Sequence, residues 1–135
     1  MRRLILVFCS LFIAGSMLFA DPVDSLENVL KTASGDLKVK TLNELFRFYF
    51  NSDPIKAIGY TREALSLASE IEDRKGMAAS YNNLGIAYKS QGALDKALEY
   101  YLISLRIYET LSNKEGIDNT KNNMGTLYSM KKDYG

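Results

Sequence analysis

The sequence predicts an all-α fold, a solenoid of antiparallel helix hairpins about two and a half units long with one further helix in front. Two observations predict it. The segments GMAASYNNLGIAYKS, Gly76 to Ser90, and GIDNTKNNMGTLYSM, Gly116 to Met130, share Gly, Asn-Asn, Gly and Tyr at the same offsets, forty residues apart. A period of that size marks a chain in which one supersecondary unit stacks on the next. Beyond Asp21, moreover, apolar residues recur at helical period with almost no strand-type alternation, and Pro22 and Pro54 are the only prolines.

Taken in order, Asp24 to about Ala33 puts Leu26, Val29, Leu30 and Ala33 on one face, and Ser34-Gly35-Asp36 ends that helix. Leu37 to Phe50 carries the stripe Leu42, Leu45, Phe46 and Tyr49. Asp53-Pro54 opens the next helix, an N-cap acceptor followed by the residue whose fixed φ suits a first turn, and it runs to about Glu72. Arg74 to Ser90 follows, broken at Gln91-Gly92. Its partner is Ala93 to Leu111, with Ala97, Leu98, Tyr101 and Tyr108 inward. After Ser112-Asn113 a last helix spans about Lys114 to Met130, and MKKDYG then stands where SQGALD makes a turn one unit earlier. The expected organisation is a leader over residues 1–20, a capping helix over 21–36, a degenerate first unit over 37–75, a second over 76–115 and a third over 116–135. By register the third unit breaks off after its first helix, so the reading expects a longer chain and an exposed final helix that another chain can cover.

The leader MRRLILVFCSLFIAGSMLFA has a charged start at Arg2-Arg3, an apolar stretch from Leu4 to Phe19 and the small Ala20 before a cut. It reads as a secretory signal, cleaved there or retained as an anchor. Export to a periplasmic or other extracytoplasmic compartment follows in either case. The body has no second apolar run of membrane length, so membrane contact is expected only through the leader or a region beyond the chain.

Composition removes several classes of function. The chain has no His and one Cys, Cys9, inside the leader, so the body has no imidazole base, no thiol nucleophile and no ordinary zinc or haem ligand set. No metal and no cofactor is expected. Beyond the leader fifteen basic side chains face sixteen acidic ones, and the pI is about 7.7, which argues against a nucleic-acid partner. Glu44, Glu63, Glu70, Glu72, Glu99 and Glu109 are spread like solvated helix residues with no converging base or nucleophile, so catalysis within these residues is not expected.

At the spacing of Tyr81, Leu84, Gly85, Tyr88, Ala97 and Tyr101 the second unit resembles the tetratricopeptide repeat, in the 40-residue variant of several bacterial exported and signalling proteins. That resemblance implies a right-handed solenoid, with Gly85 facing Ala97 across the hairpin while Tyr88 and Tyr101 fill the spaces on either side. Glu109 stands where the family has a late Pro. In the third unit Met124, Gly125 and Tyr128 repeat the pattern. The first unit needs a one-residue gap to bring Leu45 and Tyr49 onto Leu84 and Tyr88, and Phe46 replaces the Gly.

The resemblance further implies that the first helices line a concave groove that holds a protein or peptide ligand. Candidate contacts are Asn82 and Asn122, whose amides can pair with a peptide backbone, and Asn83 and Asn123, each about 100° further round and able to bond within the stack. Ala79, Ile86, Lys89 and Ser90, then Asn119, Thr126 and Ser129, complete the lining; Lys40, Asn43, Arg47 and Asn51 are weaker candidates. Two functions fit: a non-enzymatic exported interaction scaffold, or the sensory N-terminal region of a larger bacterial histidine kinase, nucleotide cyclase or transcriptional regulator.

Overall fold

The computed structural model describes residues 21–134, so the leader over 1–20 and Cys9 lie outside the described residues. The elements are α1 (Pro22–Thr32), α2 (Gly35–Tyr49), α3 (Pro54–Glu70), α4 (Arg74–Ser90), α5 (Leu94–Thr110) and α6 (Lys114–Asp133). Among the described residues there is no strand. Each helix packs on the next in sequence, and α2 also touches α4 as α4 touches α6, so the helices opening successive units form one layer of an all-α solenoid.

At the starts of α1, α3, α4 and α6 a side chain accepts from an otherwise orphan amide. Asp53 accepts from the Lys56 amide at 3.0 Å, Asp73 from Gly76 at 2.9 Å and Asn113, forty residues on, from Gly116 at 2.9 Å. Asp21 does the same for Val23, so α1 begins at Pro22 and not at Asp24. Ser34 is the boundary residue of α2, which starts at Gly35 and not at Leu37.

Three helices end in one kind of turn. A left-handed residue, Glu72 (φ 57°), Gly92 (φ 77°) or Ser112 (φ 51°), precedes a residue whose amide donates back to Ala68, Tyr88 or Tyr108. The expected turn at Met130 to Asp133 is absent, and α6 continues through Asp133. Lys132 stands where Gly92 reverses the chain, and the Lys131 ammonium reaches the Asp95 carboxylate on α5.

Stacking makes the core. Val39 and Leu42 of α2 pack with Ala64 and Ala68 of α3 and with Met77 of α4; Ala78, Ile107 and Tyr108 join Ile117 of α6; Ala97 and Tyr101 join Leu127. Phe46, which takes the place of a glycine in the first unit, is buried against Ala57 and Ala87. At Gly85 the nearest neighbour across the hairpin is the ring of Tyr101, one turn on from the buried Ala97. A Cβ there would stand 2.5 Å from Cδ1 and Cε1 of Tyr101, so the missing side chain makes room for the ring, because a tyrosine at the position after Tyr100 needs a hollow on α4. Gly76 and Gly116 serve the same end beside Val39 and Tyr108.

No residue of α1 is fully buried. The helix is held to the stack by Leu30, which packs against the cluster of Val39, Leu42, Ala64 and Ala68, and by a polar cluster: the Tyr49 hydroxyl donates to Glu27, Lys56 lies 3.1 Å from the same carboxylate, and the Lys56 ammonium sits 3.8 Å from the Tyr49 ring centre. Among the described residues no helix is long and apolar enough to cross a membrane.

Candidate functional site

The layer formed by α2, α4 and α6 carries the residues expected to line the groove. Its asparagines join the units to one another. Asn83 is only 7% exposed, and its amide nitrogen lies 3.2 Å from the Asn43 side-chain oxygen, 3.3 Å from the Asn43 carbonyl and 3.4 Å from the Thr61 hydroxyl. Asn43 is itself buried, accepts from Ser80 at 3.0 Å and donates to the Gly76 carbonyl at 3.3 Å. One junction further on, the Asn123 amide donates to the Asn82 oxygen at 3.1 Å. The second asparagine of a unit therefore reaches back to the first asparagine position of the unit before it, and Asn43 fills that position in the first unit.

This arrangement divides the candidates. Asn83 and Asn123 belong to the stack. Asn82 is half-buried and keeps its amide N–H groups once its oxygen is engaged, whereas Asn122 is exposed, with no side-chain hydrogen bond among the described residues. Lys89 donates to Thr126 at 3.0 Å, tying α4 to α6, and the Ser90 hydroxyl turns back to the Ala87 carbonyl. Ile86 is half-buried and packs against the core clusters around Ala87 and Ala97. Asn119 and Ser129 are exposed on α6, and Asn119 lines a shallow hollow with Lys114, Glu115 and Asp118. Asn51 is exposed in the turn after α2.

Between α2 and α4 the layer opens into a cavity of about 400 Å³, with Lys40, Asn43, Glu44, Arg47, Ala79 and Asn83 on its walls. Three of the weaker candidates, Lys40, Asn43 and Arg47, thus line this hollow. Asn43 is the most connected of them, and the one-residue gap that brings Leu45 onto Leu84 also brings Asn43 onto Asn82. A second cavity of about 570 Å³ lies between α1 and α2, lined by Pro22, Ser25, Leu26, Glu44, Arg47 and Phe48. Of its lining only Arg47 was among the candidates, since α1 was expected only to cap.

Charges in the groove are mixed. Lys40 faces Glu44 at 4.0 Å, Asp73 is engaged with the Gly76 amide, and Arg47 has no carboxylate partner among the described residues. On the other side of the hairpins the rings are ordered: Tyr88 stacks on Tyr100 at 5.3 Å and Lys96 lies 4.4 Å from the Tyr88 ring centre. Lys96 beside it lowers the Tyr88 hydroxyl's pKa, while burial pushes Tyr101 up to about 12. Hydrogen bonding from Tyr49 and Lys56 holds Glu27 below the ordinary carboxylate range.

A family model described as tetratricopeptide repeat matches residues 48–110 and again 77–135, leaving α1 and most of α2 outside the matches. The chain is also similar to the transcriptional activator NprA of Geobacillus stearothermophilus, 31% identical over 77 residues. That stretch is 57% of this chain and 19% of the relative, so the chain spans about a fifth of that protein's length.

Proposed function

Since the chain belongs to the tetratricopeptide repeat family, we propose that it is a non-enzymatic interaction scaffold whose concave groove holds a peptide or an extended segment of a partner protein. The asparagine pairing between units supports this reading most. It joins the first helices of successive units while leaving the Asn82 N–H groups and the whole Asn122 amide free of side-chain partners among the described residues, and the same layer opens into a cavity of about 400 Å³ between α2 and α4. Amides spaced one unit apart can pair with a peptide backbone whatever its side chains. Reading residues 1–20 as an export signal supports an extracytoplasmic site of action. A second reading rests on the similarity to a transcriptional activator over 19% of that protein: the repeats are then the ligand-sensing part of a larger regulator.

Photo-crosslinking in intact cells tests the groove. A photoreactive residue placed at Asn122 should capture a partner, and the same residue at Glu99 on α5 should not. Equal capture from both positions, or from neither, would sink the proposal.

A further inference from the structure

We propose that α1 extends the groove into a two-part site for a short peptide that carries an acidic side chain close to a bulky apolar one. The inference rests on the reading of the groove as a peptide site. Glu44 and Arg47 line both cavities, so the hollow between α2 and α4 continues around the edge of α2 into the notch made with α1. Each cavity falls within the roughly 300–1,000 Å³ typical of ligand pockets.

The two parts differ in chemistry. In the notch Pro22, Leu26 and Phe48 form an apolar wall, and Phe48 is 45% exposed, a large aromatic surface left to solvent in a small domain. At the junction stands Arg47. Lys38, Lys40, Lys56, Lys114 and Lys131 each face a carboxylate, but Arg47 does not among the described residues. A guanidinium suits a ligand carboxylate through a two-pronged hydrogen bond. On the groove side the Glu44 carboxylate can accept from a peptide main-chain N–H, while Asn43 and Asn83 in the cavity wall are engaged with each other. The notch keeps its shape because Glu27, Tyr49 and Lys56 fasten α1 to the stack.

Phage-displayed random heptapeptides selected on the full chain test this, followed by affinity measurements with the most enriched synthetic peptide. Enriched sequences should pair an acidic residue with an aromatic or large aliphatic one within three positions. Binding should fall at least about tenfold in Arg47→Glu, the loss expected when a charge-assisted contact is reversed. A comparable fall is expected in Phe48→Ala, with Lys96→Glu on the far face unchanged and helicity retained in all three variants. Peptides without an acidic preference, or ones that bind Arg47→Glu and Phe48→Ala as tightly as the parent, would overturn the two-part site. If such peptides still depend on Asn122, the groove stands without the notch; if no peptide is enriched, both readings fall.

Discussion

The ring of Tyr101 occupies the place where Gly85 would carry a side chain, 2.5 Å from its missing Cβ. Forty residues on, the space beside Gly125 is open to 4 Å, and the same residue type therefore has opposite consequences at the two sites. Gly85→Ala should destabilise the fold by about 1–3 kcal/mol, because the buried ring cannot swing aside without overpacking. Gly125→Ala should be neutral or stabilise α6 by up to about 1 kcal/mol, since it removes backbone freedom from an exposed helix interior. Denaturant unfolding of both variants checks the contrast.

The hydroxyl of Tyr101 is buried and has no hydrogen-bond partner among the described residues. Tyr101→Phe should therefore raise the melting temperature, by the equivalent of about 1 kcal/mol, because an unsatisfied buried polar group is removed while the ring stays over Gly85. The pH dependence has a definite sign. With the folded pKa raised to about 12 from the ordinary 10.0, both states stay protonated at neutral pH; between those values the unfolded chain loses its proton first, and stability falls as pH rises. Unfolding curves from pH 8 to 11 should show this loss in the parent and less of it in Tyr101→Phe.

Glu72 and Ser112 take the left-handed conformation that Gly92 adopts in the equivalent turn. A side chain there costs roughly 1 kcal/mol relative to glycine. Glu72→Gly and Ser112→Gly should each stabilise by a few tenths to about 1 kcal/mol, and the effects should add because the turns are one unit apart. Thermal unfolding of the two single variants and the double variant measures it.

What the sequence could reveal followed from locality. Helix faces, the Asp53-Pro54 start and the unit period are set by residues within a few turns of each other, so their spacing is visible along the chain. Contacts between units were harder to read. Whether Asn82 meets Asn122 or Asn123 depends on the small rotation between stacked hairpins, which the spacing leaves undefined, and the observed partner is the one that lies 41 residues away. Tyr101 was assigned a space beside the hairpin, and only the packed geometry shows its ring lying over Gly85. The notch beside α1 was hard to read for a related reason: Leu26 and Phe48, far apart in sequence, line it from two different helices, and α1 has no fully buried residue to mark how it packs.

Acid should loosen α1 before the repeats. Hydrogen bonds from Tyr49 and Lys56 hold Glu27 below its ordinary pKa of 4.5, so its contribution is present above that value and is lost as pH falls through the lower folded pKa. Amide hydrogen exchange at pH 3 should show faster exchange in α1 than in α4 relative to pH 7. Glu27→Gln should reproduce that loosening at neutral pH, and equal protection of α1 in the variant would show that the cluster does not hold it.

The two asparagines of a unit should separate binding from stability. Asn83 is 7% exposed and bonds to Asn43 and Thr61, so Asn83→Ala leaves buried partners unpaired and should cost about 1–3 kcal/mol. Asn122 is exposed on α6 and makes no such bond among the described residues, so Asn122→Ala should shift stability by no more than about 0.5 kcal/mol. If the exposed amide grips a ligand backbone, that variant should weaken ligand binding severalfold while its melting curve overlays the parent's. Asn82→Ala lies between the two, because it removes both an available amide and the acceptor that Asn123 uses at 3.1 Å. Measuring binding and unfolding side by side for the three variants decides the assignment: binding that tracks stability across the series would make every asparagine of the ladder structural.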